Sequence, residues 1–522
     1  MSCDTIIVGA GSAGCVLANR LSADPRNSVL LLEAGPRDSH PWIHLPLGYG
    51  KLFWRTDVNW AYESEPEPAL NGRRVFTPRG KVLGGSSSIN GLVYIRGQRE
   101  DFDGWGIPGW DFDALLPYFK KSEDQQRGAD AWHGAGGPQA VSDLEPHALC
   151  EAFIASAMAL GQPRNDDFNG ATQEGTGYYQ ATTRKGRRCS TAVGYLRPAM
   201  KRPNLRVEVN ALVTKVVFSG TRATGVEYLQ NGQKRTARAR EIILSGGAFN
   251  SPQLLELSGV GPRALLERHG IPVVHDLPGV GEDLQDHFFV RTFWRCRRPI
   301  TVNDDLASPW RQARVGLQWL MFRTGPLTVA GGYAAAFVRT RPELKRPDAQ
   351  IYFINFSGAR RGVLHTHSGF TCGVSQLQVE SCGSSHIRSA DPSVPPAIRY
   401  NYLATENDRR MMVEGLKLAR RIVTTPPMRD HILDEHSPGA RVQTDEDWLG
   451  YCREMGETVF HPASTCRMGT VVDDKLRVKG LDGLRVVDAS IMPSVPSGNI
   501  NAAVIAVAEK AADLIKEEAP SQ

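Results

Sequence analysis

The stretch Thr5-Ile6-Ile7-Val8-Gly9-Ala10-Gly11-Ser12-Ala13-Gly14 decides how the chain begins to fold. A short β-branched run ends at Gly9, and small and apolar residues recur at helical spacing from Ser12 to Leu21, so the segment reads strand, turn, helix. Gly9, Gly11 and Gly14 fit G-x-G-x-x-G. The first glycine permits the tight turn, the second lets backbone approach a pyrophosphate, and the third lets helix and strand pack closely. The helix N-terminus then offers phosphate its free N–H groups and a partial positive charge. A second apolar strand, Ser28 to Leu32, runs into Glu33, 19 residues after Gly14, where a carboxylate would accept both ribose hydroxyls and repel a 2′-phosphate. Glycine turns alone are common. The strand before, the helix after and the acid at this distance together point to a dinucleotide site, with NAD and FAD both open.

Beyond this unit, residues 78 to 105 form a Gly/Ser-rich turn between a basic start and an apolar strand-like segment. Arg240 to Asn250 is another apolar strand closing on a double glycine. Ser251-Pro252 follows as an expected N-cap and first-turn pair of a helix ended by Gly259. This extends a doubly wound α/β pattern. The length of 522 residues suits about two to four cores. Apolar residues at 41% and charged residues at 22%, with Gly 52 and Pro 33, exclude collagen-like and disordered classes. A net charge of +5 without a long basic run argues against a nucleic-acid partner.

Nine cysteines, widely scattered and without a CxxC pair, suggest buried thiols in a reducing compartment and no metal site. The first residues carry no signal-peptide pattern, and no run approaches the roughly 20 apolar residues of a spanning helix. A cytoplasmic location is expected, and peripheral membrane attachment through a surface patch would be compatible with it. The segment Arg37 to Pro68, rich in proline and aromatic residues, lacks helical periodicity and is either a lid over an entrance or a packed arm. Amphipathic helices are expected at Leu149 to Leu160 and Arg409 to Val423. Oligomeric state is not legible.

Five blocks in order resemble the glucose-methanol-choline (GMC) flavin oxidoreductases, and among them the choline-dehydrogenase-like alcohol dehydrogenases and oxidases. They are GAGSAG at 9–14, GKVLGGSSSINGLVYIRG at 80–97, GAFNSPQLLELSGVG at 247–261, HPASTCRMG at 461–469, and VVDASIMPSVPSGNINAAVIAVAEKAAD at 486–513. The resemblance implies FAD, a Rossmann-like FAD-binding domain assembled from discontinuous segments, and an α+β substrate domain with an antiparallel sheet. The expected division is 1–35, 75–140, 205–300 and 470–522 for FAD, with 145–200 and 301–469 for substrate and 36–74 as lid or arm. Residues implied around the cofactor are Gly9, Gly11, Ser12, Ala13, Gly14, Glu33, Ala34, Arg79, Gly84, Gly85, Ser86, Asn90, Gly91, Val93, Val213, Gly247, Asp488, Ala489, Asn499 and Asn501. Some members attach flavin covalently through a histidine where this chain has Ile89, so non-covalent FAD is expected.

Oxidising an alcohol with a flavin requires a base for the hydroxyl proton beside a hydride acceptor, and histidine suits this at neutral pH. His461 matches the family's catalytic histidine, and Pro462 biases it toward extended backbone. Asn499 matches the second polar residue of the active-site pair; an amide can orient the alcohol but cannot replace the base. The final helix, expected from Ala502 to Ile515, would place its N-terminus beneath the flavin pyrimidine edge. Ser464 departs from the family's usual glycine, so local backbone is expected to differ there. The implied reaction is oxidation of a primary alcohol to the aldehyde, with oxygen or a quinone-type carrier as acceptor. The same scaffold also holds hydroxynitrile lyases, which keep FAD without redox turnover.

Overall fold

The computed structural model describes residues 2–359 and 363–518. Its first sheet is parallel at its centre, in the order Leu205–Glu208, Val29–Leu32, Ser2–Val8, Gln233–Leu244, with Leu484–Val486 beside the last of these. All four residues of Val29–Leu32 are buried, as are Ile6 to Val8, as expected for strands covered on both faces. The long strand Gln233–Leu244 does double duty. Its second half lies in the parallel sheet, while its first half turns antiparallel with Arg222–Gln230, which pairs Ala211–Ser219. The helices Ser12–Leu21 and Asn501–Glu518 pack side by side on this sheet. Arg20 joins them by a two-pronged ion pair to the buried Glu509, at 2.8 and 2.7 Å, and the Tyr195 hydroxyl donates to the same carboxylate at 2.8 Å.

A second sheet is antiparallel throughout, in the order Ile432–Ser437, Phe288–Cys296, Gly369–Gln376, Ala349–Ile354, Ala334–Val338, Gly175–Tyr178, with Glu457–Thr458 on Phe288–Cys296. The helices Ala148–Ala159 and Glu406–Val423 cover its core. The two-layer α/β plus α+β architecture therefore agrees with the fold class read from sequence. Two segment limits differ. Phe288–Cys296, grouped by sequence with the FAD segments, hydrogen-bonds in the antiparallel sheet, where alternate apolar residues face the second core. Ala463, Cys466 and Met468, placed by sequence in the substrate domain, pack into the core of the parallel sheet.

The helix expected to start at Ser251 begins four residues earlier and runs Gly247–Leu257 with Pro252 inside it. Pro252 cannot donate to the Ala248 carbonyl. The Thr465 hydroxyl does so instead, at 2.6 Å, which explains how the helix tolerates the proline. The last helix starts at Asn501 and extends to Glu518, longer at both ends than the apolar pattern indicated. The segment 36–74 contains two short helices, Pro41–His44 and Tyr49–Leu52, and buries Ile43, Leu52 and Val58 against Val82 and Ile89.

Candidate active site

His461 lies between two residues in the left-handed backbone region, Phe460 at φ +73° and Ser464 at φ +77°. Non-glycine residues there store strain that surrounding structure must over-determine. The neighbours that do so are visible. The His461 N–H donates to Asp286 Oδ1 at 2.7 Å, and Asp286 Oδ2 accepts from the Tyr402 and Thr458 hydroxyls. Burial raises the Asp286 carboxyl to about 6 against the pull of these donors. The peptide before the imidazole is thereby clamped to the start of strand Phe288–Cys296.

The tautomer of His461 follows from its partners. Asn499 Oδ1 accepts from the Tyr352 hydroxyl at 3.2 Å and from Gln350 Nε2 at 3.4 Å, so its Nδ2 is the atom 3.1 Å from His461 Nε2. An amide nitrogen only donates. His461 Nε2 therefore carries a lone pair, the proton sits on Nδ1, and Nδ1 donates to His287 Nδ1 at 3.0 Å. Burial, then His287 and the Arg79 guanidinium, hold His461 well below the ordinary histidine value. Burial takes His287 down to about 4. Both rings are neutral near pH 7, and one of them presents a basic nitrogen toward Asn499.

Arg79, Tyr352, Phe460, His461 and Asn499 line one cavity of about 2160 Å³, with Asp286, His287 and Gln350 behind them. All the residues that the resemblance implied around the cofactor line it except Gly14 and Gly84. These two are packing glycines: a Cβ on Gly14 would stand 1.9 Å from the Gly9 carbonyl oxygen, and one on Gly84 would stand 2.2 Å from Ser88 Oγ. Gly11 and Gly247 leave room instead. A Cβ on Gly11 would meet only the Ser245 carbonyl at 3.8 Å, and one on Gly247 nothing within 4 Å, so bare backbone faces the cavity at both places. Ser12 Oγ donates to Asn501 Oδ1 at 2.7 Å, which brings the beginnings of the first and last helices together on the cavity wall. This pair of helix N-termini suits the charge of a pyrophosphate and of a reduced flavin ring.

Glu33 is buried and its carboxylate accepts from the Ala10 and Gly35 N–H groups, each at 2.8 Å, leaving its remaining lone pairs to the cavity. Desolvation pushes it up to about 7. Asp488 accepts from the Gly247 N–H at 2.8 Å and from Ser251 Oγ at 2.6 Å, fixing the start of helix Gly247–Leu257. Arg79 donates to Ser86 Oγ and to the Phe460 carbonyl at 3.0 Å, so it ties the Gly/Ser turn to the residue before His461. Asn90 Oδ1 accepts from the Leu92 N–H at 3.1 Å and from Arg188 at 2.6 Å, a turn-stabilising role that leaves its amide nitrogen on the cavity side. Ile89 is buried in an apolar cluster and offers no nucleophile to the cavity it borders.

Asp286, His287 and Gln350 were missed from sequence, and Tyr352 was legible only as one aromatic of a possible substrate pocket; together they hold His461 and Asn499. The adjacent Asp286-His287 at the start of a strand was the available signal; Gln350 and Tyr352 alternate along Ala349–Ile354 with nothing local to mark them. Three other histidines, His365, His367 and His436, bring ring nitrogens within 4.8 Å of one another. The neighbouring Arg295 is paired with Asp434, so no uncompensated charge faces these rings, and no ion is assigned.

GMC oxidoreductase family models match residues 3–289 and 379–508. The mitochondrial choline dehydrogenase of Mus musculus is 44% identical, over 98% of this chain and 89% of its own length. An oxygen-dependent choline dehydrogenase of Pseudomonas entomophila is 45% identical over 99% of this chain and 94% of its own. Among solved structures, pyridoxine 4-oxidase from Mesorbium loti aligns with a TM-score of 0.90 at 30% identity, covering 99% of this chain and 100% of that one. A formate oxidase of Aspergillus oryzae, studied for modification of its FAD, gives 0.93 at 28% identity, covering 99% and 98%. None of these relatives is a lyase. The chain belongs to the GMC oxidoreductase family and is an FAD-dependent oxidoreductase acting on an alcohol.

Proposed function

We propose that this protein oxidises an uncharged primary alcohol with an apolar or aromatic body to its aldehyde, with His461 as base. The observation that carries this is the lone pair of His461 Nε2 facing the amide of Asn499. FAD, held non-covalently, supplies the hydride acceptor when bound. His461 Nε2 takes the hydroxyl proton, and Asn499 Nδ2 turns its N–H toward the alcohol oxygen, where negative charge develops. Tyr352 and Gln350 keep the amide from rotating, and burial keeps the imidazole neutral so that it can accept.

The cavity wall contributes Phe53, Phe289, Tyr352, Phe356 and Phe460. It also carries Arg291, whose guanidinium is 2.8 Å from Glu457, so the carboxylate nearest this cation is already neutralised. Aromatic faces alone attract a quaternary ammonium, but with Glu457 spent on Arg291 this part of the wall offers it no net negative charge, which favours an uncharged alcohol over choline. Choline is the second reading, supported by the names of the relatives. The same names support oxygen as acceptor, with a quinone-type carrier as alternative, and a cytoplasmic enzyme is consistent with nine free cysteines.

Anaerobic mixing of the yellow protein with benzyl alcohol, a medium-chain 1-alkanol or choline tests the reading. Dark bleaching by the first two, reversed by oxygen, is expected; bleaching by choline alone would overturn the substrate assignment. His461→Ala should keep FAD and slow bleaching about 10²-fold or more. Acid precipitation should leave a white pellet and yellow supernatant.

A further inference from the structure

The helix Pro309–Phe322 touches the rest of the protein through one narrow face. Val315 is its buried residue, and Gln312, Gly316 and Trp319 line the cavity. On the other side, Trp310, Leu317, Leu320 and Met321 are 80, 55, 61 and 62% exposed, and Phe322 at its end is 66% exposed. Five of the eleven exposed large apolar residues described in the whole protein thus sit on one helix. With about 3.6 residues per turn, positions 310, 313, 317, 320 and 321 fall in a stripe about 100° wide, the width of face a surface helix normally turns toward a core. Here that stripe faces away from it. Isolated surface apolar residues need no explanation, but a contiguous stripe does.

Charge specifies what covers the stripe. Arg311 and Arg314 are exposed along one shoulder, and Arg323 follows at the end of the helix, stacked 4.1 Å over Trp319. No Asp or Glu occurs between Asp305 and Glu343. An apolar face rimmed by cations, with a tryptophan near one end, matches the interface of an anionic bilayer. Fourteen residues span about 21 Å, less than the roughly 30 Å hydrocarbon core, and no helix among the described residues is long and apolar enough to cross a membrane.

We propose that the helix Pro309–Phe322 seats the protein on an anionic lipid bilayer, lying parallel to the surface with Trp310, Leu317, Leu320 and Met321 at the acyl boundary. Arg311 and Arg314 then meet lipid phosphates. Because the inward face of the same helix is cavity wall, docking holds that wall within about one helix diameter, roughly 10 Å, of the bilayer.

The test is co-sedimentation of the FAD-loaded protein with phosphatidylcholine vesicles, with and without phosphatidylglycerol, at low and high salt. Wild type should pellet with the mixed vesicles, less so at high salt. The double variant L320E/M321E should partition at least tenfold less, and R311Q/R314Q about fivefold less per arginine on the mixed vesicles alone. Both should keep the flavin spectrum and be bleached at wild-type rate by a short water-soluble alcohol, since none of these side chains borders the cavity. Wild type left in the supernatant, or variants that pellet equally well, would overturn the proposal. So would a dimer in light scattering that L320E/M321E converts to monomer without vesicle binding by wild type, which would assign the stripe to a second copy of the chain.

Discussion

Replacing His287 by leucine isolates the contact that fixes the proton on His461. The 3.0 Å bond from His461 Nδ1 to His287 Nδ1 is buried, and leucine leaves that Nδ1–H without an acceptor. An unsatisfied buried donor costs about 1–3 kcal/mol, which is a factor of about 5 to 150 in the population of the base-competent tautomer. The alternative tautomer would aim an N–H of His461 at the N–H of Asn499. In anaerobic stopped-flow reduction the limiting rate should fall by that factor while the half-saturating alcohol concentration changes little. Because His287 also helps to depress His461, its removal should move the acid limb of the pH profile upward. His287→Asn, whose Oδ1 can accept, should recover part of the rate. A leucine variant within twofold of wild type, with an unmoved acid limb, would refute the tautomer assignment.

For the unaltered protein, the neutral form of His461 is the active one, and its value lies well below 6.5, so reduction should be flat from about neutral pH upward and decline only as pH falls into the acid range. Gly14→Ala should destabilise the fold severely because its Cβ has only 1.9 Å to the Gly9 carbonyl, whereas Gly11→Ala should melt normally yet lose FAD, as thermal melts and flavin content will show. Ser464→Gly removes a side chain from φ +77° together with a buried hydroxyl that has no partner, and should raise stability by about 1 kcal/mol in urea titration. Burial lowers the affinity of His133 for protons, but bonds to Asp167 at 2.8 Å and to Glu123 at 3.1 Å outweigh it and raise it from 6.5 to about 9. That stabilisation, up to about 3 kcal/mol, is complete below pH 6.5 and lost as pH rises through about 9; His133→Gln should flatten this part of the melting-temperature profile.

The cofactor half of the molecule was legible because its signals are local. Gly9, Gly11, Gly14 and Glu33 sit on one strand-turn-helix unit, and each glycine answers a steric demand within a few residues. Ser464 was marked only by the family resemblance, and the backbone there takes the positive φ a glycine favours although the residue is a serine. The shell around His461 was not legible. Asp286, His287, Gln350 and Tyr352 reach it across 175, 174, 149 and 147 residues of separation from the partners they bind, through strands whose register no short pattern fixes. The strand Phe288–Cys296 was misplaced because an apolar run does not say which of two sheets it joins.

The bond between Ser12 and Asn501 joins positions 489 residues apart, and Arg20 with Glu509 repeats the clasp at the same separation. During synthesis, a nascent chain that has already made its glycine turn therefore lacks one side of the nucleotide compartment until the closing helix has left the ribosome. Cofactor capture therefore waits for that helix rather than for the glycine turn, and a variant that loses Glu509 leaves the Arg20 guanidinium without its carboxylate partner.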